Sequence, residues 1–364
     1  MKKTIALLLA VVMVFALAAC GQSAAPAPAA SNPAPAQSGT EAAPADTGSE
    51  AAPAQKYAFQ LASVAPNGSA LIAACTEFKT NVEARTNGNV TIEIFPGSSL
   101  GSGAEYMQQV IEGNIALATC ANDTTATYWP EFNVFNAPFV WNDKSECDAI
   151  CDGEIGAELW QVLEDAGVHV LSTTTTYNGS GFRLVTSNIP IYGPGDMKNL
   201  KIRVMENQIL LAGWKTLGCN PTPVAFTEVF TSLQQGAIDA QENPMDLIYM
   251  MKFYEAQKYI IETNHLLQPA PIVMNKAIFE SLPEEYQTIL TEEANNAGLY
   301  QREIGPQFEA EYRQAAEAAG VTYIELTDEQ RDEFRAQLGP VYDMVVEASG
   351  PIAEKFFSAL NITW

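Results

Sequence analysis

Between residues 196 and 244 the hydrophobic period of the chain switches several times, and this switching constrains the fold more than any other feature. Residues 200–204 alternate apolar and basic side chains, the two-residue period of a strand, which puts Arg203 on one strand face. Residues 206–217 fit a helix, and Pro221 and Pro223 interrupt it. Phe226, Val229, Phe230 and Leu233 then recur at helical spacing up to Gly236. Ile238 to Ala240 reads as a short strand leading into a polar turn of Gln241, Glu242, Asn243 and Pro244.

The same alternation runs through the preceding part of the chain. Strand periods are expected at 57–62, 90–95, 115–119 and 168–172, with helices at 70–85, around Tyr106, Val110 and Ile111, and over 144–166. Phe182 to Val185 is a further strand carrying Arg183 in an apolar run, and 269–273 another. A long helical stretch follows from 283 to 320, without breakers between Glu284 and Ile304. Strands alternating with helices predict mainly parallel sheets covered by helices, with ligand contacts at strand ends.

Residues 1–20 carry Lys2 and Lys3, an apolar run from 5 to 17, and small residues before Cys20. That order predicts a lipoprotein signal peptide with Cys20 as the lipidated first residue, and the run is shorter than the roughly 20 residues a membrane span needs. Residues 21–55 hold mostly Ala, Pro, Ser, Gly, Gln and Thr with no large apolar side chain, so they are expected to form a disordered tether. The remainder exceeds what one core usually serves, which predicts two lobes. With 19 basic and 43 acidic residues the formal charge is −24, a balance that opposes binding to nucleic acid or anionic lipid surfaces. It also opposes an anionic ligand at long range, so any bound acid needs local cations. Cys75, Cys120, Cys147, Cys151 and Cys219 remain after lipidation, an odd number read as packed or free thiols. No metal or cofactor motif appears.

The strings K-I-R-V, L-G-C-N-P-T-P and A-F-T-E-V-F-T-S-L-Q-Q-G-A-I-D-A-Q-E-N-P, flanked by Tyr177, Asn178, Gly179 and by residues 258–265, closely resemble the DctP-type substrate-binding proteins of tripartite ATP-independent periplasmic (TRAP) transporters. The resemblance extends from about Tyr57 to about Gly320. It implies a two-lobed, periplasmic-binding-protein-like α/β fold with mainly parallel sheets flanked by helices and a long lobe-spanning C-terminal helix. Lobe I is expected to hold 56–180 and about 267–305, and lobe II 181–266 and about 306–364. It also implies an extracytoplasmic monomer that binds a small organic acid, needs no cofactor, catalyses no reaction, and delivers its ligand to the TRAP small and large membrane subunits; the signal at residues 1–20 adds the expected lipid anchor to the cell membrane.

Arg203 falls on the family's principal carboxylate-binding arginine and Arg183 on its frequent second cationic contact. A guanidinium makes two parallel hydrogen bonds to a carboxylate, which lysine cannot. Asn243 matches an asparagine that orients ligand oxygens, although the residues alone favour an Asn-Pro turn former. Phe226 matches an aromatic wall residue, and its spacing also suits helix core. Glu206 matches the pocket rim, where a carboxylate suits a hydroxyl or an ammonium. Asn122 is a candidate contact from the first lobe. Its neighbours from Cys120 to Thr124 are mostly small or neutral, which weighs against a sialic-acid ligand.

Two rival readings accompany this one. A receptor of the same fold could signal or serve another system. Gly97, Ser99 and Gly101 also satisfy the G-x-S-x-G hydrolase pattern, but such a serine needs a base, and His169 and His265 are the chain's two histidines.

Overall fold

The computed structural model describes residues 55–364. The expected signal peptide with Cys20, and the expected tether apart from Gln55, lie outside the described residues.

The chain opens with β1 (Tyr57–Ala62), α1 (Ala70–Arg85), β2 (Val90–Phe95), α2 (Gly103–Ile111), β3 (Leu117–Thr119) and α3 (Asn122–Tyr128). There follow α4 (Lys144–Asp152), α5 (Glu154–Asp165), β4 (Val168–Val170), β5 (Arg183–Ser187), β6 (Lys201–Val204), α6 (Gln208–Thr216) and β7 (Asn220–Pro223). After these come α7 (Val229–Gln234), β8 (Ala240–Pro244), α8 (Met245–Met250), α9 (Phe253–Ala256), β9 (Tyr259–Leu266), β10 (Ile272–Asn275) and α10 (Lys276–Glu280). The chain closes with α11 (Glu284–Ala318), β11 (Thr322–Glu325), α12 (Asp328–Arg335), α13 (Gly339–Ser349) and α14 (Pro351–Ala359).

The strands form two mixed sheets, ordered β2-β1-β3-β10-β4 and β11-β9-β5-β8-β6-β7. In the first, β2, β1 and β3 are parallel, and β10 runs antiparallel to both β3 and β4. In the second, β5 runs antiparallel to β8 and β9, while β6 is parallel to β7 and β8. The chain leaves the first sheet after β4 and returns at β10. The outgoing and returning segments meet in a bridge between Tyr177 and Pro269. From α11, Gln301 fastens the outgoing segment: its Oε1 accepts from the Tyr177 N–H at 2.6 Å, and its Nε2 donates to the Tyr177 and Gly179 carbonyls at 2.8 and 3.1 Å.

Apolar side chains of β1, β2, β3 and β10 pack against α1 and α11 to form one core, with Leu61, Phe78, Ile92, Met274 and Leu290 fully buried. Leu184, Val229, Ile248, Phe253 and Ile260 form another beside the second sheet. An aromatic group of Phe135, Trp141, Trp160 and Phe356 seats α14 against α5 and the segment before α4.

Three expected elements differ. The single helix over 144–166 is two helices, because Gly153 is extended (φ −100°, ψ −165°) and ends α4 while starting α5. Gly156 permits the close packing of that junction, since a Cβ there would lie 1.9 Å from the Cys151 carbonyl oxygen. The proline turn at 220–223 is an edge strand, β7, where the missing proline N–H groups are tolerated. The polar turn at 241–244 is the buried interior strand β8, whose polar side chains find partners inside the protein.

Candidate functional site

Each candidate arginine is fixed by its strand. Arg183 opens β5 and pairs in register with Pro244, which places it diagonally across from Glu242 on β8. Its side chain is 1% exposed. The Nε group is ion-paired with Glu242, and Nη2 donates to the Glu242 carbonyl at 2.7 Å, to Glu242 Oε1 at 3.1 Å and to Asn243 Oδ1 at 3.1 Å. Nη1 donates to Gln268 Oε1 at 3.2 Å. Burial alone would raise the Glu242 carboxyl, but Arg183 and His265 outweigh it and hold the group down at about 2.

His265, on β9, is also fully buried, and desolvation lowers its pKa more than Glu242 raises it. The neutral ring therefore donates from Nε2 to Glu242 Oε2 at 3.2 Å, and Nδ1 accepts from the Thr263 hydroxyl at 2.8 Å.

Arg203 sits on β6, 3% exposed, and its Nε donates to the Val224 carbonyl at 2.8 Å. That bond ties the guanidinium to the loop after β7. Asn207 caps α6 immediately downstream, accepting from the N–H groups of Ile209 and Leu210 at 2.9 and 3.2 Å, so the chain turns sharply after β6. Exposed Glu206 lies in that turn.

Both arginines border a cavity of about 640 Å³. Arg183, Arg203, Asn243, Phe226 and Glu206 all line it, so strands far apart in sequence converge on one space. Phe226 is half-buried and packs edge-on against Phe253, with centroids 6.1 Å apart. Asn122 opens α3, and the residues around it, Ala121 and Thr124, line the cavity from the side of the first sheet. Several lining residues were not singled out from sequence as contacts: Asn178 on the crossing segment, Ser98 and Ser102 before α2, and Met205 and Leu247 on the second-sheet side. In the sequence Asn178 stands out only as part of a string flanking the family motifs, and small polar loop residues carry no periodic signal that would single them out.

The two histidines weighed for the hydrolase pattern have other partners. His169 pairs with Glu164 at 2.6 Å and stacks on Phe279, and His265 is held by Glu242 and Thr263. The five described cysteines are buried free thiols. The Sγ atoms of Cys147 and Cys151 are 3.9 Å apart on α4.

The sequence model of the DctP family, described as bacterial extracellular solute-binding protein, family 7, matches residues 61–349. The chain belongs to this family. The 2,3-diketo-L-gulonate-binding periplasmic protein YiaO of Escherichia coli is 35% identical over 276 residues, which is 75% of this chain and 82% of YiaO. The crystal structure of a TRAP periplasmic solute-binding protein from Roseobacter denitrificans with bound β-D-glucuronate has a TM-score of 0.78 at 28% identity, covering 84% of this chain and 100% of that one. The sugar-acid-binding protein DctPAm of Advenella mimigardefordensis in complex with galactonate has a TM-score of 0.79 at 27% identity, covering 84% of this chain and 98% of its own. Family membership makes this chain an extracytoplasmic solute-binding protein, with the two-sheet architecture of the TRAP periplasmic proteins.

Proposed function

We propose that this chain is the receptor of a TRAP transporter, that it captures a small organic acid by pairing the ligand carboxylate with Arg203, and that it delivers the acid to the small and large membrane subunits. The observation that carries this reading is the placement of Arg203 and Asn243, both nearly fully buried, on the wall of one cavity in a chain of this family. The relatives described above bind acids, among them a uronate and an aldonate, which supports a carboxylate as the common handle. Arg183, already holding Glu242 and Asn243, is the second cationic contact. Asn243 orients ligand oxygens, Phe226 supplies an apolar wall, Asn122 approaches from the opposite side, and Glu206 accepts from ligand hydroxyls.

Lobe I (56–180 and about 267–305) and lobe II (181–266 and about 306–364) close on the ligand, where a lower dielectric strengthens the ion pair. Cys20 carries the lipid anchor and 21–55 the tether, and the receptor works as a monomer.

Calorimetric titration with a panel of small organic acids tests the site. Arg203→Ala leaves a buried ligand carboxylate unpaired, at a cost of about 3–5 kcal/mol, and so weakens binding roughly a hundredfold to several thousandfold. Equal affinity of wild type and Arg203→Ala for every acid that binds overturns the reading. Uptake in proteoliposomes containing the two membrane subunits checks delivery, and mass spectrometry of wild type and Cys20→Ser checks the lipid.

A further inference from the structure

We propose that the cavity selects acids with a single carboxylate and a hydroxylated remainder, with Glu105 and Glu206 excluding acids that carry a carboxylate at each end. This rests on the pairing of the ligand carboxylate with Arg203 described above.

The charge pattern of the wall is the first observation. Among the described residues lining the cavity, the cations are Arg183 and Arg203, and Arg183 is already matched by the buried Glu242 carboxylate. Two further carboxylates line the same space, Glu105 from α2 on the first-sheet side and Glu206 after β6 on the other. A space of about 640 Å³ is on the order of 10 Å across, comparable with a Debye length at 0.1 M salt, so a second ligand carboxylate lies within range of these two acids, which are both exposed at the wall. Like charges brought together in this way act against the wrong partner.

The end of α2 is the second. Its N-terminal N–H groups border the cavity and, left open, would suit an anion. The chain fills that position itself: Glu105 Oε2 accepts from the Ser102 N–H at 2.7 Å and from its hydroxyl at 2.9 Å, while Ser102 Oγ accepts from the Glu105 N–H at 3.4 Å. The bonds from Ser102 hold the Glu105 carboxyl below its usual range, so it stays charged at neutral pH.

The remaining wall groups suit hydroxyls. Asn178 Oδ1 is buried and has no hydrogen-bond partner among the described residues, although Asn178 lines the cavity. This acceptor calls for a donor, which a ligand hydroxyl provides and a carboxylate does not. Ser98, Thr124 and Thr227 add hydroxyls that both donate and accept.

Three acids that share a carbon skeleton separate the possibilities: D-galactonate ends in a primary alcohol, D-galacturonate in an aldehyde or its ring form, and galactarate in a second carboxylate. Titrated into the purified protein, galactonate or galacturonate is expected to bind on the order of a hundredfold more tightly than galactarate. The double variant Glu105→Gln/Glu206→Gln should narrow that gap at least tenfold. Because Glu105 closes a capping box, Glu206→Gln is measured alone too, and it should narrow the gap at least threefold. Galactarate binding as tightly as the other two in wild type, or a gap unmoved in both variants, overturns the proposal. If that tight binding disappears in Arg203→Ala, the carboxylate receptor itself still stands. Failure of all three acids to bind also overturns the proposal, and the receptor is then judged on unhydroxylated acids from the wider panel.

Discussion

Replacing Glu242 by glutamine removes one negative charge from the interior at nearly constant volume and leaves Arg183 buried with no ion-pair partner. Two routes give the size of the effect. Breaking a buried ion pair by neutralising one member costs about 3–5 kcal/mol. Independently, the Glu242 carboxyl falls from an ordinary 4.5 to about 2 in the folded protein. That depression corresponds to about 3 kcal/mol of stability. Because the folded-state value is the lower one, this stability is fully present above pH 4.5 and is lost as the pH falls through 4.5 towards 2. By pH 3 about 2 kcal/mol of it is gone. Urea unfolding of wild type and Glu242→Gln at pH 7 should therefore differ by about 3 kcal/mol, and the difference should shrink by more than half at pH 3. A difference below about 1 kcal/mol at pH 7, or one that is the same at both pH values, refutes the assignment of Glu242 as the charge that neutralises Arg183.

Other consequences are as direct. Gln301→Ala strands the Tyr177 N–H and the Gly179 carbonyl in a buried crossing segment, while the Tyr177 carbonyl keeps the Gly179 N–H, so unfolding free energy should fall by about 2–4 kcal/mol, readable by denaturant titration. Gly298→Ala places a Cβ 2.1 Å from the Thr174 carbonyl oxygen where α11 meets the outgoing segment, and its melting temperature should drop by several degrees. Cys75 and Cys219 are buried and desolvation pushes both thiols up to about 12, so a thiol reagent at pH 8 should label neither until denaturant is added. Phe226→Ala removes an apolar wall and should weaken ligand binding without the loss of stability that follows truncation of a fully buried core phenylalanine.

Much of the fold was legible in the sequence. The first strand, first helix and second strand begin and end where the periodicity predicts, because each has one face against a core and clear turn residues at its ends. The helix expected over 144–166 was misread because its period continues across Gly153, and only the approach of Cys151 to Gly156 shows why the backbone must break there. Residues 241–244 were misread for the opposite reason. Gln, Glu, Asn and Pro in succession look solvent-facing, yet Gln241 reaches Thr186, Glu242 reaches Arg183 and His265, and Asn243 accepts from Arg183. Those partners lie far away in sequence and are supplied by strand register, which composition does not encode. Arg203 and Arg183 both line the cavity, but the sequence carries no sign that Glu242 holds Arg183 or that the Val224 carbonyl holds the Arg203 Nε.

The position of β10 between β3 and β4 bears on when the protein can fold. The first sheet is completed by a strand that follows five of the six strands of the second, so a chain ending before Ile272 lacks the piece that joins β4 to the rest. Contacts of such long sequence separation form slowly and late. A polypeptide that crosses a membrane N-terminus first thus keeps its leading half from settling into a finished sheet until most of its length has emerged on the far side.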